Sequence, residues 1–76
     1  MISVNKSLDL HGMRYGDVEV LVEDFFLSQE PPFEIITGNS SIMLSLVINI
    51  ADRFGYFCFY KNPNNLGSII IIEGIN

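Results

Sequence analysis

The segment FEIITGNSSIML, Phe33 to Leu44, changes its period halfway, and that change sets the fold. Its first part, Phe33 to Thr37, is aromatic and β-branched, the composition of a strand closed by Gly38. From Met43 the apolar residues move to helical spacing: Met43, Leu46, Val47, Ile50, Ala51 and Phe54 stand at i, i+3, i+4, i+7, i+8 and i+11. This is the clearest periodicity in the chain, and Gly55 stands where such a helix ends. A strand running directly into an amphipathic helix predicts a second strand beyond it. Tyr56 to Lys61 supplies one, rich in aromatics. Asn62 to Gly67 (NPNNLG) is turn-forming, and Ser68 to Glu73 reads as a last strand, antiparallel to the one before.

The same alternation of periods lies on the amino-terminal side. From about Asp17, Val18, Leu21, Val22 and Phe25 form one helical stripe, with Glu19, Glu23 and Asp24 off it. Pro31 and Pro32 stop this helix because proline lacks the N–H that would continue it. Before it, Ser7 to Leu10 reads as a short strand, with Leu8 and Leu10 on one face and Asp9 and His11 on the other. Gly12 ends that strand. The predicted order is β-α-β-α-β-β, an α/β two-layer sandwich of a four-stranded mixed sheet with two helices on one face. Each helix bridges two parallel strands by a right-handed crossover, and the final pair forms a hairpin. Leu8, Leu10, Leu21, Phe25, Ile35, Val47, Ile50 and Phe54 are the expected core. The strands YFCFY and IIII are apolar on both sides, so side chains are expected on the open face as well. A patch there would serve association with a second copy or a protein partner.

With 76 residues the chain reads as one domain over 1–76, and a domain of that size buries only about 60% of its unfolded surface. Nine acids stand against four bases, Lys6, Arg14, Arg53 and Lys61, for a net charge of −5. That balance repels nucleic acid unless the few bases cluster at one place, and it argues against a sequence-independent nucleic-acid coat. Cys58 is the only cysteine, which excludes an intrachain disulfide and a cysteine-cluster metal site. A free thiol in an apolar run fits a reducing cytoplasm, the expected location. MISVNKSLDL lacks the apolar core of a secretory signal, and no uninterrupted apolar run approaches the length that spans a bilayer, so no membrane partner is expected.

The topology brings the carboxyl ends of the first two strands to one edge, where open α/β sheets usually bind ligands. One end carries Asp9-Leu10-His11-Gly12 and the other Thr37-Gly38-Asn39-Ser40-Ser41. Asp9 and His11 share a side. A carboxylate so placed orients an imidazole and fixes its tautomer, and such a histidine can move a proton during phosphodiester cleavage. Gly38 lets a ligand approach the backbone, and the helix start that follows offers unpaired N–H groups to a phosphate. Arg14 is the nearest base to that edge. Each feature also has a simpler reading. Asp-x-His can be an ordinary strand end, Gly-Asn-Ser-Ser a turn and helix cap, and Arg14 a solvated charge. Their convergence on one edge is what favours chemistry.

Taken together, "LDLHGMR", the acidic helix ending "VEDFFL", "FEIITGNSS" before the second helix and the terminal hairpin resemble the Smr (small MutS-related) domain family. The resemblance covers nearly the whole chain. It implies a nuclease that nicks DNA or cleaves RNA, including messenger RNA on stalled ribosomes. It also implies a fold similar to the C-terminal domain of translation initiation factor three, with strand order 1-2-4-3 and the last strand antiparallel to the others. Asp9 and His11 match the family's Asp-x-His, and Gly12 matches the glycine after it. Thr37 and Gly38 match the opening of its H/T-G-x-G loop. Ser40 stands where the second glycine is expected, and no base follows at the start of the helix.

The expectation is a minimal endonuclease acting on DNA or RNA. Asp9 and His11 would be catalytic, and Gly12, Arg14, Thr37, Gly38, Asn39, Ser40 and Ser41 would hold the substrate. The alternative is a non-catalytic module of the same fold that binds nucleic acid, a ribosome or a protein. One histidine and one aspartate cannot build a closed zinc site. Magnesium held loosely by Asp9 and substrate phosphates is compatible with the residues, and a metal-free route through a ribose 2′-hydroxyl requires RNA.

Overall fold

The computed structural model describes residues 3–74, which share one hydrophobic core. The elements run β1 (Lys6–Asp9), α1 (Tyr15–Ser28), β2 (Phe33–Ile36), α2 (Ser41–Arg53), β3 (Tyr56–Asn62) and β4 (Asn65–Glu73). This is the expected β-α-β-α-β-β order. β4 begins inside the stretch read as a turn, so only Pro63 and Asn64 separate the last two strands. The Asn62 side chain closes that turn by accepting the Asn64 N–H at 2.9 Å, as asparagine does in tight turns.

The sheet order is β1-β2-β4-β3. β1 pairs parallel with β2, Lys6 opposite Phe33 and Asp9 opposite Ile36. β4 runs antiparallel to both β2 and β3, so β2 and β3 are parallel with β4 between them. The isoleucine run explains why β4 is interior. Ile69, Ile70 and Ile71 are all buried, and only a strand flanked on both sides removes consecutive residues from water.

One face of the sheet carries the core. Phe33 and Ile35 of β2 and Ile69 and Ile71 of β4 pack with Val18, Val22 and Phe26 of α1 and with Met43, Val47, Ile50 and Ala51 of α2. Leu10, Ile35, Val47 and Ile50 are buried as expected. The α1 stripe is centred differently. Phe26 is buried, whereas Leu21 and Phe25 are only half-buried at its margin. The cause is the neighbour helix. Phe26 points into the angle between sheet and α2, stacked on Phe33 at 5.4 Å between ring centroids, with Phe54 and Tyr56 edge-on at 5.3 and 5.2 Å. Leu8 is half-buried because β1 is an edge strand with neighbours on one side only. Phe54, at the end of α2, is also half-buried. Arg53 clasps the two helices, donating to Glu19 at 2.8 Å and Glu23 at 2.9 Å.

The other face is less apolar than its strands suggest. Glu34 accepts the Ser68 hydroxyl at 2.6 Å and the Lys61 ammonium at 3.2 Å, making the middle polar. Ile70 lies on this face yet is buried among its neighbours. Phe57 and Phe59 are the large apolar side chains left exposed there, both on β3. Among the described residues, no helix is long and apolar enough to cross a membrane.

Ile35 has no exposed surface, and Ile35→Ala should cost about 2–5 kcal/mol of unfolding free energy in urea titrations. Leu27 is 76% exposed, and Leu27→Ala should change stability by no more than about 0.5 kcal/mol.

Candidate active site at the carboxyl edge of the sheet

β1 and β2 keep company one residue past the strands, where the Leu10 N–H donates to the Ile36 carbonyl at 2.7 Å. The chains then diverge at two glycines in left-handed conformation, Gly12 at φ +76° and Gly38 at φ +68°. Gly38 has a second constraint. A Cβ there would lie 3.2 Å from His11 Cβ, so the glycine also makes room for the histidine. The two segments singled out by sequence, Asp9–Gly12 and Thr37–Ser41, therefore meet at one edge.

Asp9 Oδ1 accepts two hydrogen bonds from His11, from the backbone N–H at 3.1 Å and from ring Nδ1 at 2.5 Å. Nδ1 is thereby the protonated nitrogen facing the carboxylate, and Nε2 is left for other chemistry. The imidazole is 68% exposed, open to a substrate. The ring hydrogen bond, followed by the backbone one, holds the Asp9 carboxyl below its ordinary range.

A cleft of about 610 Å³ opens beside the ring. His11, Gly12, Gly38, Asn39 and Ser40 line one side, while Glu34 and Ile36 of β2 and Asn65, Gly67 and Ser68 of β4 line the other. Thr37 also lines it but is buried, its hydroxyl directed to the carbonyls of Gly38 at 3.2 Å and Gly67 at 3.4 Å. Thr37 is part of the floor. Ser40 caps α2 by accepting the Met43 N–H at 3.1 Å, and its Oγ lies 2.9 Å from the Tyr15 hydroxyl. Ser40 thus ties the starts of the two helices together. The third N–H of α2 is taken by this cap, so α2 offers a ligand the groups of Ser41 and Ile42. Ser41 itself lines a neighbouring depression with Leu44, Tyr60 and Leu66.

Arg14 stands outside the cleft. It occupies the cap position of α1, is exposed, and lies 3.6 Å from Asp17. Arg53 is held by Glu19 and Glu23, and Lys61 by Glu34. No lysine or arginine lines the cleft, and its one acid is Glu34, held toward the ionised form first by the Ser68 hydrogen bond and then by Lys61. Among the described residues, no three histidine, cysteine or acidic side chains gather as a metal site. Asp9 is the sole carboxylate beside His11 and has one oxygen committed to it, so this donor set does not fit a resident metal. Asn65, Gly67, Ser68 and Glu34 escaped the sequence reading. The signal was the 1-2-4-3 order itself, because an antiparallel β4 beside β2 brings its first residues to β2's carboxyl end.

Comparison of the chain with protein-family models, with curated proteins and with solved structures finds no match.

Because folding lowers the Asp9 pKa, its contribution to stability is present above the ordinary value of 3.8 and is lost as pH falls through the lowered one. In an NMR titration, the Asp9 carboxyl carbon should titrate below 3.8, with the His11 Nδ1 signal moving in step. An Asp9 midpoint at or above 3.8 would show the ring hydrogen bond to be absent. Gly38→Ala should cost roughly 1–2 kcal/mol, measured by thermal unfolding, from the left-handed backbone alone. It should also shift the His11 resonances.

Proposed function

We propose that this chain is an Smr-type endonuclease that cleaves phosphodiester bonds in RNA or DNA at the His11 cleft. The observation that carries the reading is the exposed Asp9–His11 pair at the mouth of a cleft bounded by the Gly38 turn. His11 Nε2 takes the proton from the attacking oxygen, either water or the ribose 2′-hydroxyl of RNA. The new phosphorus–oxygen bond forms as the bond to the leaving oxygen breaks. Asp9 keeps the ring in the productive tautomer and balances the imidazolium charge that develops. The phosphate rests near Gly38, against backbone N–H groups at the start of α2. Binding through amides and not bases implies a shallow dependence of affinity on salt, since few counterions are released.

A second reading is a non-catalytic module of the same fold, and one observation favours it. Three of the four bases, Arg14, Arg53 and Lys61, lie within ion-pair distance of acids. Among the described residues Lys6 alone is left without an acid partner, and a single cation makes no track for a nucleic-acid strand. In that reading the same edge docks on a protein or a ribosome.

Labelled RNA and DNA incubated with the chain, with and without EDTA, separate the two. Under the first reading, His11→Ala lowers the cleavage rate by roughly 10²–10⁴-fold with the fold intact. Asp9→Asn also slows cleavage, while Arg14→Ala leaves it nearly unchanged because that side chain stands outside the cleft. Binding without cleavage supports the second reading. Equal cleavage by wild type and His11→Ala would place the activity elsewhere.

A further inference from the structure

We propose that a second copy of this chain docks on the β3 edge. β3 pairs antiparallel with its own copy across a two-fold axis, and the two α2 helices pack side by side. Three independent features converge on that edge.

The first is the backbone. β3 is the outermost strand, and among the described residues no backbone hydrogen bond from outside the sheet reaches Tyr56–Tyr60. Unfilled edges invite strand pairing, and proteins usually blunt them with charge, proline or brevity. β1, the opposite edge, is blunted in this way, with four residues that include Lys6 and Asp9. The stretch Tyr56–Tyr60, YFCFY, contains no charge, glycine or proline.

The second is that both layers stop unfinished along the same line. On the helix side, Leu44 and Ile48 of α2 form an open groove of about 240 Å³ with Cys58, Tyr60 and Ile69. Ile48 is 41% and Tyr60 42% exposed. On the opposite side of the same strand, Phe57 and Phe59 are exposed. A lone extended peptide would satisfy the β3 backbone but leave the α2 flank in water. A second copy brings a strand for the strand and a helix for the helix.

The third is charge. In a chain of net charge −5, neither Ser41–Ala51 nor Gly55–Tyr60 contains a charged residue. Two acidic copies can meet there without opposing like charges. Asp52 and Lys61 border this neutral surface, Asp52 at the end of α2 next to the start of β3 and Lys61 near the end of β3. Antiparallel pairing about a two-fold axis sets like positions of β3 at opposite ends, so the two Asp52 side chains stand apart, as do the two Lys61 side chains, each already held by Glu34.

Sedimentation equilibrium of the 76-residue chain in reductant tests this. The expected mass rises with concentration toward twice 8.6 kDa. Ile48→Glu and Tyr60→Lys should each weaken self-association at least about tenfold, as charges placed in an apolar contact do, while leaving circular dichroism and the thermal transition intact. Leu27→Glu, on the outer side of α1, should leave the association unchanged. A single-chain mass independent of concentration into the millimolar range overturns the proposal. So does a dimer insensitive to both edge variants, which would place assembly on another surface.

Discussion

Asp9 lies opposite Ile36 in the parallel ladder of β1 and β2, and the candidate site depends on that register. Side chains alternate along a strand, so a slip of one residue would turn Asp9 into the core and Leu10 out of it. The register is held from the inside. Leu10, Phe33 and Ile35 are fully buried on the helix face, which commits their neighbours Asp9, His11 and Glu34 to the other. Once the pairing is set, the glycine turns at Gly12 and Gly38 stand side by side, and His11 rests against Gly38. The burial of a few aliphatic side chains thus positions a carboxylate, an imidazole and a helix start with respect to one another.

The charges are arranged for the fold more than for capture of a polyanion. Arg53 bridges Glu19 and Glu23, two of the four acidic residues of α1, and Lys61 offsets Glu34 on the open face. Pairs as exposed as those of Arg53 contribute modestly to stability, within about 1 kcal/mol. Their consequence for function is larger, because each removes a cation from the few the chain has. The cleft is left with amide and hydroxyl donors around one histidine. Such a site has little long-range attraction for a polyanion.

Apolar surface is divided just as unevenly. β4 spends its isoleucines in the interior of the sheet, and the aromatic residues of β3 divide between core and surface. Tyr56 joins the rings of Phe26 and Phe54, while Phe57 and Phe59 remain on the far side. Two helices cannot span four strands to the last edge, so the shortfall falls on the outermost strand beside α2. The opposite edge has no comparable apolar surplus because β1 is short and polar.

By itself the sequence determined the element order, the helix and strand periods, and the approach of Asp9–Gly12 to Thr37–Ser41. These follow from local rules: repeats of 2 and 3.6 residues, the breaks at Pro31, Gly38 and Gly55, and the tendency of a helix to return the chain parallel to its first strand. The strand order 1-2-4-3 was legible through resemblance. Only the tertiary structure decided which side chains share a place. Phe26 and not Phe25 fills the angle between helix and sheet, Ser40 serves as a cap bonded to Tyr15, Arg14 stays outside the cleft, and β4 contributes Asn65, Gly67 and Ser68 to its wall. None of these is encoded in spacing along the chain. Each depends on which face of one element meets another, and that choice is settled by the burial of the whole core at once.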